Sequence, residues 1–399
     1  MQRSWKILYI ILCAVLLALA VYQFYLQFVM FSPLVPDYRG YEGAVQALDH
    51  QQDPYVPENL NYYYGNVLPF VYPPQTLYFF WLLQFLFIFR DVWMYFAFLS
   101  SLLIVSSWII LTLDQKPRYL FLAVLLTSGF IGLWWNFTRG NKDIIFLFLF
   151  AVIFALLAAE KYWKSAVVMG LTIGFSLFAT QFAALYLVIR RPPRDKLGYI
   201  ALSFGVVAAL FAIGYCINPA FFFSYLTLMR GSNNQLVQTG DWNAPIPYRL
   251  FYDLLASIWN DPVLPTVLFT CVYAAIILYV TWVFYQKKPE EPLKVYSLAM
   301  LSLFMLLPRM MSYNFIILVL PLYLLFKDGS YRVKSLVLTV VCLLPLIVWY
   351  LSVLEINRDT LPFLLGEYVQ TYSLLIVFFI VILDNHLIPV PRITNQHPG

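Results

Sequence analysis

The run ILYIILCAVLLALAVYQFYLQFVMF, residues 7–31, contains no charged side chain and is long enough as a helix to cross a lipid bilayer. It is too long for the apolar core of a signal peptide, and no small-residue cleavage site precedes Pro33, so it is read as a retained helix. Comparable runs recur to the end of the chain. With 62% hydrophobic and only 11% charged residues and a mean hydropathy of +0.76, they leave one broad class. The runs are rich in Leu, Phe and Ile and lack strand-like alternation, which argues against a membrane β-barrel. The expectation is an all-α polytopic membrane protein, a bundle of about 12 transmembrane helices forming a single integral membrane domain over 1–399. Spans are expected near 7–31, 92–113, 119–135, 144–159, 165–179, 182–190, 198–217, 263–286, 295–307, 314–326, 335–353 and 369–389, with 165–190 alternatively one long helix.

Charge fixes the expected orientation. Most of the 25 Lys and Arg residues fall in alternate loops such as DQKPR (114–118), RRPPRDK (190–196), QKKPEEPLK (286–294) and KDGSYRVK (327–334). Basic loops stay on the cytoplasmic side, which places both termini there and makes the chain a multi-pass protein of the cytoplasmic (plasma) membrane. The apolar segment QTLYFFWLLQFLFIF (75–89) would invert those loops if it crossed. It is therefore read as a re-entrant or interfacial helix, with an ordinary short span as the alternative. Cys13, Cys216, Cys271 and Cys342 all lie in or at the ends of apolar runs without disulfide or metal spacing and are expected to be core thiols.

Two outer loops are long, 32–91 (including the segment just described) and 218–262. The first opens with PDYRGYEGA (36–44), which concentrates Asp37, Arg39 and Glu42 at the mouth of the first span. After Pro36, the residues Asp37, Tyr41, Ala44, Val45 and Leu48 recur at helical spacing, predicting a short amphipathic helix with Asp37 in its first turn and Tyr41 on the same face. A carboxylate there has two readings, a general base facing a cavity or a charge that favours the helix dipole. Among outer-side cations, Arg139 and Lys142 flank Gly140, and Arg309 follows Pro308. Each is a candidate for binding phosphate, and each otherwise pairs with a nearby acid or reaches toward lipid headgroups. Asn141 and Asp143 stand at the start of a helix, where capping competes with contact to a sugar hydroxyl. Tyr41, Tyr55, Tyr72 and Trp242 offer rings to a sugar face or anchor the chain at the interface. In the second loop Asn233, Asn234, Gln235, Asp241 and Asn243 are positioned to read hydroxyls or simply to connect spans. No carboxylate cluster at ligand spacing occurs, so no cofactor is expected, with a divalent metal at Asp143 as the open alternative.

PDYRGYEGAVQAL (36–48), QDPY (52–55) and VYPPQTLYFF (71–80), followed by TRGNKDIIFLFL (138–149) and LPRMMSYNFIILVLPL (307–322), resemble in order and spacing the polyprenol-phosphate-mannose-dependent mannosyltransferases of glycosyltransferase family 87, which have the GT-C fold. Where that family commonly has Gln after the Gly of its second outer loop, this chain has Asn141, Lys142 and Asp143, and its late motif carries Tyr313 and Asn314 where Trp and His are common. The resemblance implies an inverting transferase that moves a sugar, with mannose the expected one, from a polyprenyl-phosphate donor to a hydroxyl of a lipid-linked or glycan acceptor on the extracytoplasmic face. It implies Asp37 as the base. A leaving phosphate needs outer-side cations, for which Arg309, Lys142 and Arg139 are the candidates, and Tyr41, Asp53, Tyr55, Tyr72, Asn141, Asp143, Tyr313, Asn314 and Trp242 are the residues expected against substrate. Membrane lipids are the remaining expected partner, and no nucleic acid is expected. A phosphate leaving group needs no general acid, so one carboxylate suffices where a glycoside hydrolase uses two. The alternatives are a transporter or flippase of lipid-linked sugars, or a membrane glycan polymerase or ligase. A carrier predicts two related halves and ionisable residues at mid-membrane, and neither is visible in the sequence.

Overall fold

The computed structural model describes residues 2–26, 28, 35–64, 70–86, 88, 91–127, 133–232, 247–256, 258–288, 290–307, 312–347 and 368–384. Among them the chain is helical throughout, with no strand. The helices are α1 (Gln2–Tyr25), α2 (Pro36–Asp49), α3 (Pro57–Tyr64), α4 (Pro74–Phe85), α5 (Val92–Thr112), α6 (Tyr119–Thr127), α7 (Leu133–Arg139), α8 (Asp143–Ala158), α9 (Tyr162–Phe175), α10 (Pro193–Ile217), α11 (Pro219–Ser232), α12 (Pro247–Ala256), α13 (Val263–Lys287), α14 (Pro292–Met305), α15 (Val319–Phe326), α16 (Tyr331–Leu338) and α17 (Val369–Asp384). Proline sets many of the starts, at the first position of α2, α4, α10 and α14, where its missing N–H would have had no helical partner.

Four helices, over Arg3–Tyr25, Val92–Thr112, Pro193–Ile217 and Val263–Lys287, are long and apolar enough to cross a membrane. They fall on four of the expected spans. Their exposed faces are apolar, including Val21, Ile104, Ile213 and Leu268, as lipid-facing surfaces must be. The core forms around α8, whose side chains from Asp143 to Leu147 are all buried, along with Phe150, Ile153 and Phe154 further on. Helix α8 packs against α5 and α9, and α9 against α10. The last pair is close because Gly170 faces it: a Cβ there would stand 2.5 Å from the Ser203 carbonyl oxygen.

The stretch 165–190 is not one helix. Ser176 is extended (φ −159°, ψ 124°), and Leu177–Val188 then continues as 3-10 turns, which rise about 2 Å per residue against 1.5 Å in an α-helix. Cys13 and Cys342 are buried as expected, whereas Cys216 and Cys271 are exposed on α10 and α13, whose outward faces are turned away from the protein core. Within the second long loop, α11 and α12 occupy the two ends. The amide of Phe221 donates to Asn218 Oδ1 at the start of α11, and Leu250 and Leu255 are buried on α12. The polar residues between these helices dominated the sequence pattern; residues 233–246 lie outside the described ones.

Residues 36–49 form the expected helix, with Asp37, Tyr41, Ala44 and Val45 buried on one face. In the segment 75–89, α4 has 12 residues, about 18 Å of helix against a hydrocarbon core of about 30 Å. Trp81 Nε1 and Gln84 Nε2 both donate to the Asp49 carboxylate at 2.9 Å, tying α4 to the end of α2. Gln75 and Thr76 donate to the carbonyls of Gly174 and Phe175 at the end of α9.

Candidate active site

The site forms where the start of α2 meets the turn between α7 and α8. Helix α7 ends at Arg139, and the chain reverses through Gly140, whose φ of +67° lies in the left-handed region that glycine adopts without strain. The reversal is closed by hydrogen bonds from Gly140 N–H to the Phe137 carbonyl (3.1 Å) and from Asn141 N–H to the Asn136 carbonyl (2.7 Å). Glycine is needed twice over, because a Cβ would lie 2.5 Å from Tyr38 Cβ on α2. On the other side, the Val35 N–H donates to the Thr138 carbonyl (3.0 Å) and so stitches α2 to α7 just before Asp37. Val35 itself adopts φ 41°, an uncommon conformation for a β-branched residue.

This close approach surrounds one carboxylate with donors. Arg139 Nη2 donates to Asp37 Oδ1 at 3.0 Å and Arg139 Nε to Oδ2 at 3.2 Å, a two-pronged pair. Asn141 Nδ2 donates to the same Oδ2 at 2.7 Å. Asp37 is 7% exposed, and among the described residues its Oδ2 carries two donors while Oδ1 carries one. A carboxylate oxygen has two acceptor positions, so Oδ1 retains capacity for one further hydroxyl. Burial works against the Arg139 charge, but the Asp37 carboxylate outweighs it and pushes the guanidinium further up. Asn141 serves both sides of the turn, since its Oδ1 accepts the Asp143 N–H (3.1 Å) that opens α8.

Behind this pair lies a second, fully buried one. Lys142 Nζ stands 3.6 Å from Asp143 Oδ1, at 2% and 1% side-chain exposure. The ammonium rests over the rings of Tyr72 (4.0 Å) and Phe146 (4.8 Å), with Phe175 at 5.8 Å, an aromatic box that offsets part of the lost hydration. Burial pushes the Lys142 ammonium down despite the opposing pull of Asp143 and Asp37. Asp143 Oδ2 accepts a hydrogen bond from Asn314. Its Oδ1 has no hydrogen-bond donor among the described residues, only the Lys142 charge nearby.

Aromatic side chains line the same region. The hydroxyls of Tyr41 and Tyr72 lie 3.4 Å apart, and Tyr41 stacks on Phe80 with ring centres 4.5 Å apart. Burial, with the nearby Asp37 charge, pushes the Tyr72 phenol up. The Tyr313 ring lies under the Arg139 guanidinium at 5.9 Å. Tyr55 donates its hydroxyl to the Tyr72 carbonyl (3.0 Å), while Asp53 Oδ1 accepts the Tyr55 N–H (2.9 Å) and so fixes the turn behind it.

Asp37, Tyr41, Tyr72, Arg139, Asn141, Lys142, Asp143, Tyr313 and Asn314 are thus brought into one connected network, with Asp53 and Tyr55 supporting it from behind. Arg309 and Trp242 lie outside the described residues. Arg39 is exposed. Sequence reasoning passed over Asn136 and Tyr38. Asn136, buried on α7, donates to the Tyr313 carbonyl (2.9 Å) and so joins α7 to the late motif, and Tyr38 receives the turn at Gly140. The isolation of Asn136 in the run LWWNF was the available signal, because a lone amide among apolar residues needs a partner inside the protein. Among the described residues no cluster of His, Cys, Asp or Glu could hold a metal ion.

Fold and site together describe a helical membrane protein with a buried, ion-paired polar centre at one end of its bundle. The sequence model of glycosyltransferase family 87 matches residues 70–308, well over half of the chain. The chain belongs to that family and is a membrane glycosyltransferase. The matched region contains Arg139 through Asp143 and begins after Asp37, whose connection to the site is through space. No curated protein and no solved structure matches the chain.

Proposed function

We propose that this enzyme moves a sugar, with mannose the one its motifs point to, from a polyprenyl-phosphate donor to a hydroxyl of a lipid or glycan acceptor, and that Asp37 is the general base. One observation carries the reading: among the described residues Asp37 Oδ1 keeps an unused acceptor position while Arg139 and Asn141 fix the rest of the carboxylate. The acceptor hydroxyl gives its proton to Oδ1 as its oxygen attacks the anomeric carbon. The bond from that carbon to the phosphate oxygen breaks, and its electron pair leaves with the phosphate. A single displacement inverts the anomeric centre.

Arg139 engages Asp37 through Nε and Nη2. A guanidinium has five N–H donors, so its remaining ones can turn toward the departing phosphate. Arg309 shares that charge. Lys142 acts on it through the field of a buried ammonium, with Asp143 and Asn314 placed to receive sugar hydroxyls. The rings of Tyr41, Tyr72 and Tyr313 give the sugar a face to stack on, Asp53 and Tyr55 hold Tyr72, and Trp242 is assigned a further ring contact to substrate. The distribution of Lys and Arg supports placing this centre on the extracytoplasmic face, with α4 turned back within that leaflet.

The test is transfer from labelled polyprenyl-phosphate-mannose by the protein in lipid nanodiscs, with donor binding and thermal stability measured in parallel. Asp37→Asn keeps the shape of the side chain and is expected to retain donor binding while transfer falls about 10²- to 10⁴-fold, the usual worth of a positioned base. Transfer by Asp37→Asn at the wild-type rate would overturn the assignment. Transfer from a sugar diphosphate lipid but not from the monophosphate would instead support the polymerase or ligase reading.

A further inference from the structure

At the opposite end of α8, about 24 Å from Asp143 along the helix, lies a cavity of about 390 Å³. It is bounded by the end of α8, the start of α9, the end of the 3-10 segment and the junction of α13 with α14. A volume of that size is at the lower end of what small-ligand sites occupy. Two adjacent guanidinium groups stand at its wall. Arg190 lies over the ring of Tyr285 (5.3 Å) and donates from Nη2 to the Tyr285 carbonyl (3.1 Å). Arg191 lies over the ring of Tyr162 (5.0 Å) and pairs with Glu160 (2.8 Å), which is itself mostly exposed. Among the described residues Arg190 pairs with no carboxylate, and it lines the cavity with N–H groups beyond the one given to the Tyr285 carbonyl. Lys196 adds charge from the first turn of α10, its ammonium 5.7 Å from the Tyr285 ring.

Arg190 gives one N–H to a carbonyl and Arg191 is engaged by Glu160, which leaves donors on the pair for a phosphate, a group that a guanidinium binds through parallel hydrogen bonds. Two of the long apolar helices end here, α10 at Pro193 and α13 at Lys287. The cavity therefore sits at the level where headgroups meet the hydrocarbon core, and Trp163 and Trp282, exposed on α9 and α13, are the belt residues typical of that level. We propose that this cavity binds a phosphate-bearing anion, the phosphodiester headgroup of an anionic lipid, held by Arg190 and Arg191. It is a site separate from the Asp37 centre and does not depend on the reaction assigned there. Basic pockets between membrane helices commonly take such headgroups.

The test uses the full-length protein in neutral detergent, with lipid retention read by native mass spectrometry and stabilisation by thermal unfolding. The probes are phosphatidylglycerol, phosphatidylcholine and soluble glycerol phosphate. Phosphatidylglycerol is expected to bind and stabilise in preference to phosphatidylcholine. Arg190→Gln is expected to weaken it about tenfold, the worth of a charge-assisted hydrogen bond, with Arg190→Lys in between. Lys164→Gln, which removes a charge on the same side but outside the cavity, is expected to leave binding unchanged. Competition by glycerol phosphate at comparable concentration would support the phosphate site and assign it to a soluble ligand. Equal binding of the two lipids, or equal losses in Arg190→Gln and Lys164→Gln, would overturn the proposal and reduce the cluster to diffuse surface charge.

Discussion

Gly140 makes the sharpest test of how the centre is assembled, because it touches no substrate in the proposed mechanism and yet sets the position of both donors to Asp37. Replacing it with alanine has two physical costs. At φ +67° an L side chain is strained, by about 1–2 kcal/mol. The added carbon would also lie 2.5 Å from Tyr38 Cβ, where relaxed carbon contacts need about 3.5–4 Å. The α7 to α8 turn must therefore back away from α2 by roughly 1 Å or more. Arg139 and Asn141 flank Gly140, and their bonds to Asp37 span 2.7 to 3.2 Å. A retreat of that size takes them beyond hydrogen-bonding range, and misplacement by about 1 Å at a reacting group is able to cost around 10²-fold in rate. Gly140→Ala is thus expected to fold with stability reduced by about 2–3 kcal/mol, combining strain with weakened pairing, and to lose about 10²-fold in transfer. Chemical unfolding in detergent measures the first and the nanodisc transfer assay the second. Wild-type stability together with wild-type transfer would refute the close approach of α2 to this turn, and with it the reasoning that joins Asp37 to Arg139.

The ion pair itself is open to a double-mutant cycle: Arg139→Met leaves a buried carboxylate with, among the described residues, only Asn141 as donor and is expected to cost about 3 kcal/mol, of which Asp37→Asn in the same chain restores a large part. Additive losses in chemical unfolding would mean that the two do not interact. Asn141→Ala removes both a donor to Asp37 and the acceptor for the first amide of α8, with an expected loss of about 1–2 kcal/mol, and Asn141→Asp is expected to be worse because it sets a second carboxylate against the first. At the far end of the bundle, burial alone would raise the Asp114 carboxyl. Hydrogen bonds from the Lys116 N–H, the Tyr323 hydroxyl and the Lys327 ammonium nonetheless hold it below its usual range. Its stabilisation is therefore present above the ordinary carboxylate value near 4 and is lost as pH falls through the lower native value. Melting curves from pH 6 downward are expected to show a steeper loss for wild type than for Asp114→Asn, and parallel curves would contradict the sign.

What the sequence revealed and what it hid divide along physical lines. The helix from Pro36 was legible because a surface helix with one buried face leaves a periodic pattern, and the helix-start prolines and the long apolar spans leave equally local marks. The partnership of Asp37 with Arg139 and Asn141 was not legible, since it joins residues about a hundred positions apart and depends on a backbone contact that only Gly140 permits. Arg139 was read for its charge toward phosphate, and the same charge turned out to be engaged by a carboxylate. Those two uses share one guanidinium, with Nε and Nη2 given to Asp37 and the other N–H groups left over. In the proposed reaction a phosphate held by those other N–H groups and the carboxylate held by Nε and Nη2 are fixed by the same side chain, so the position of the leaving group and the aim of the base are coupled by the limited reach of Arg139.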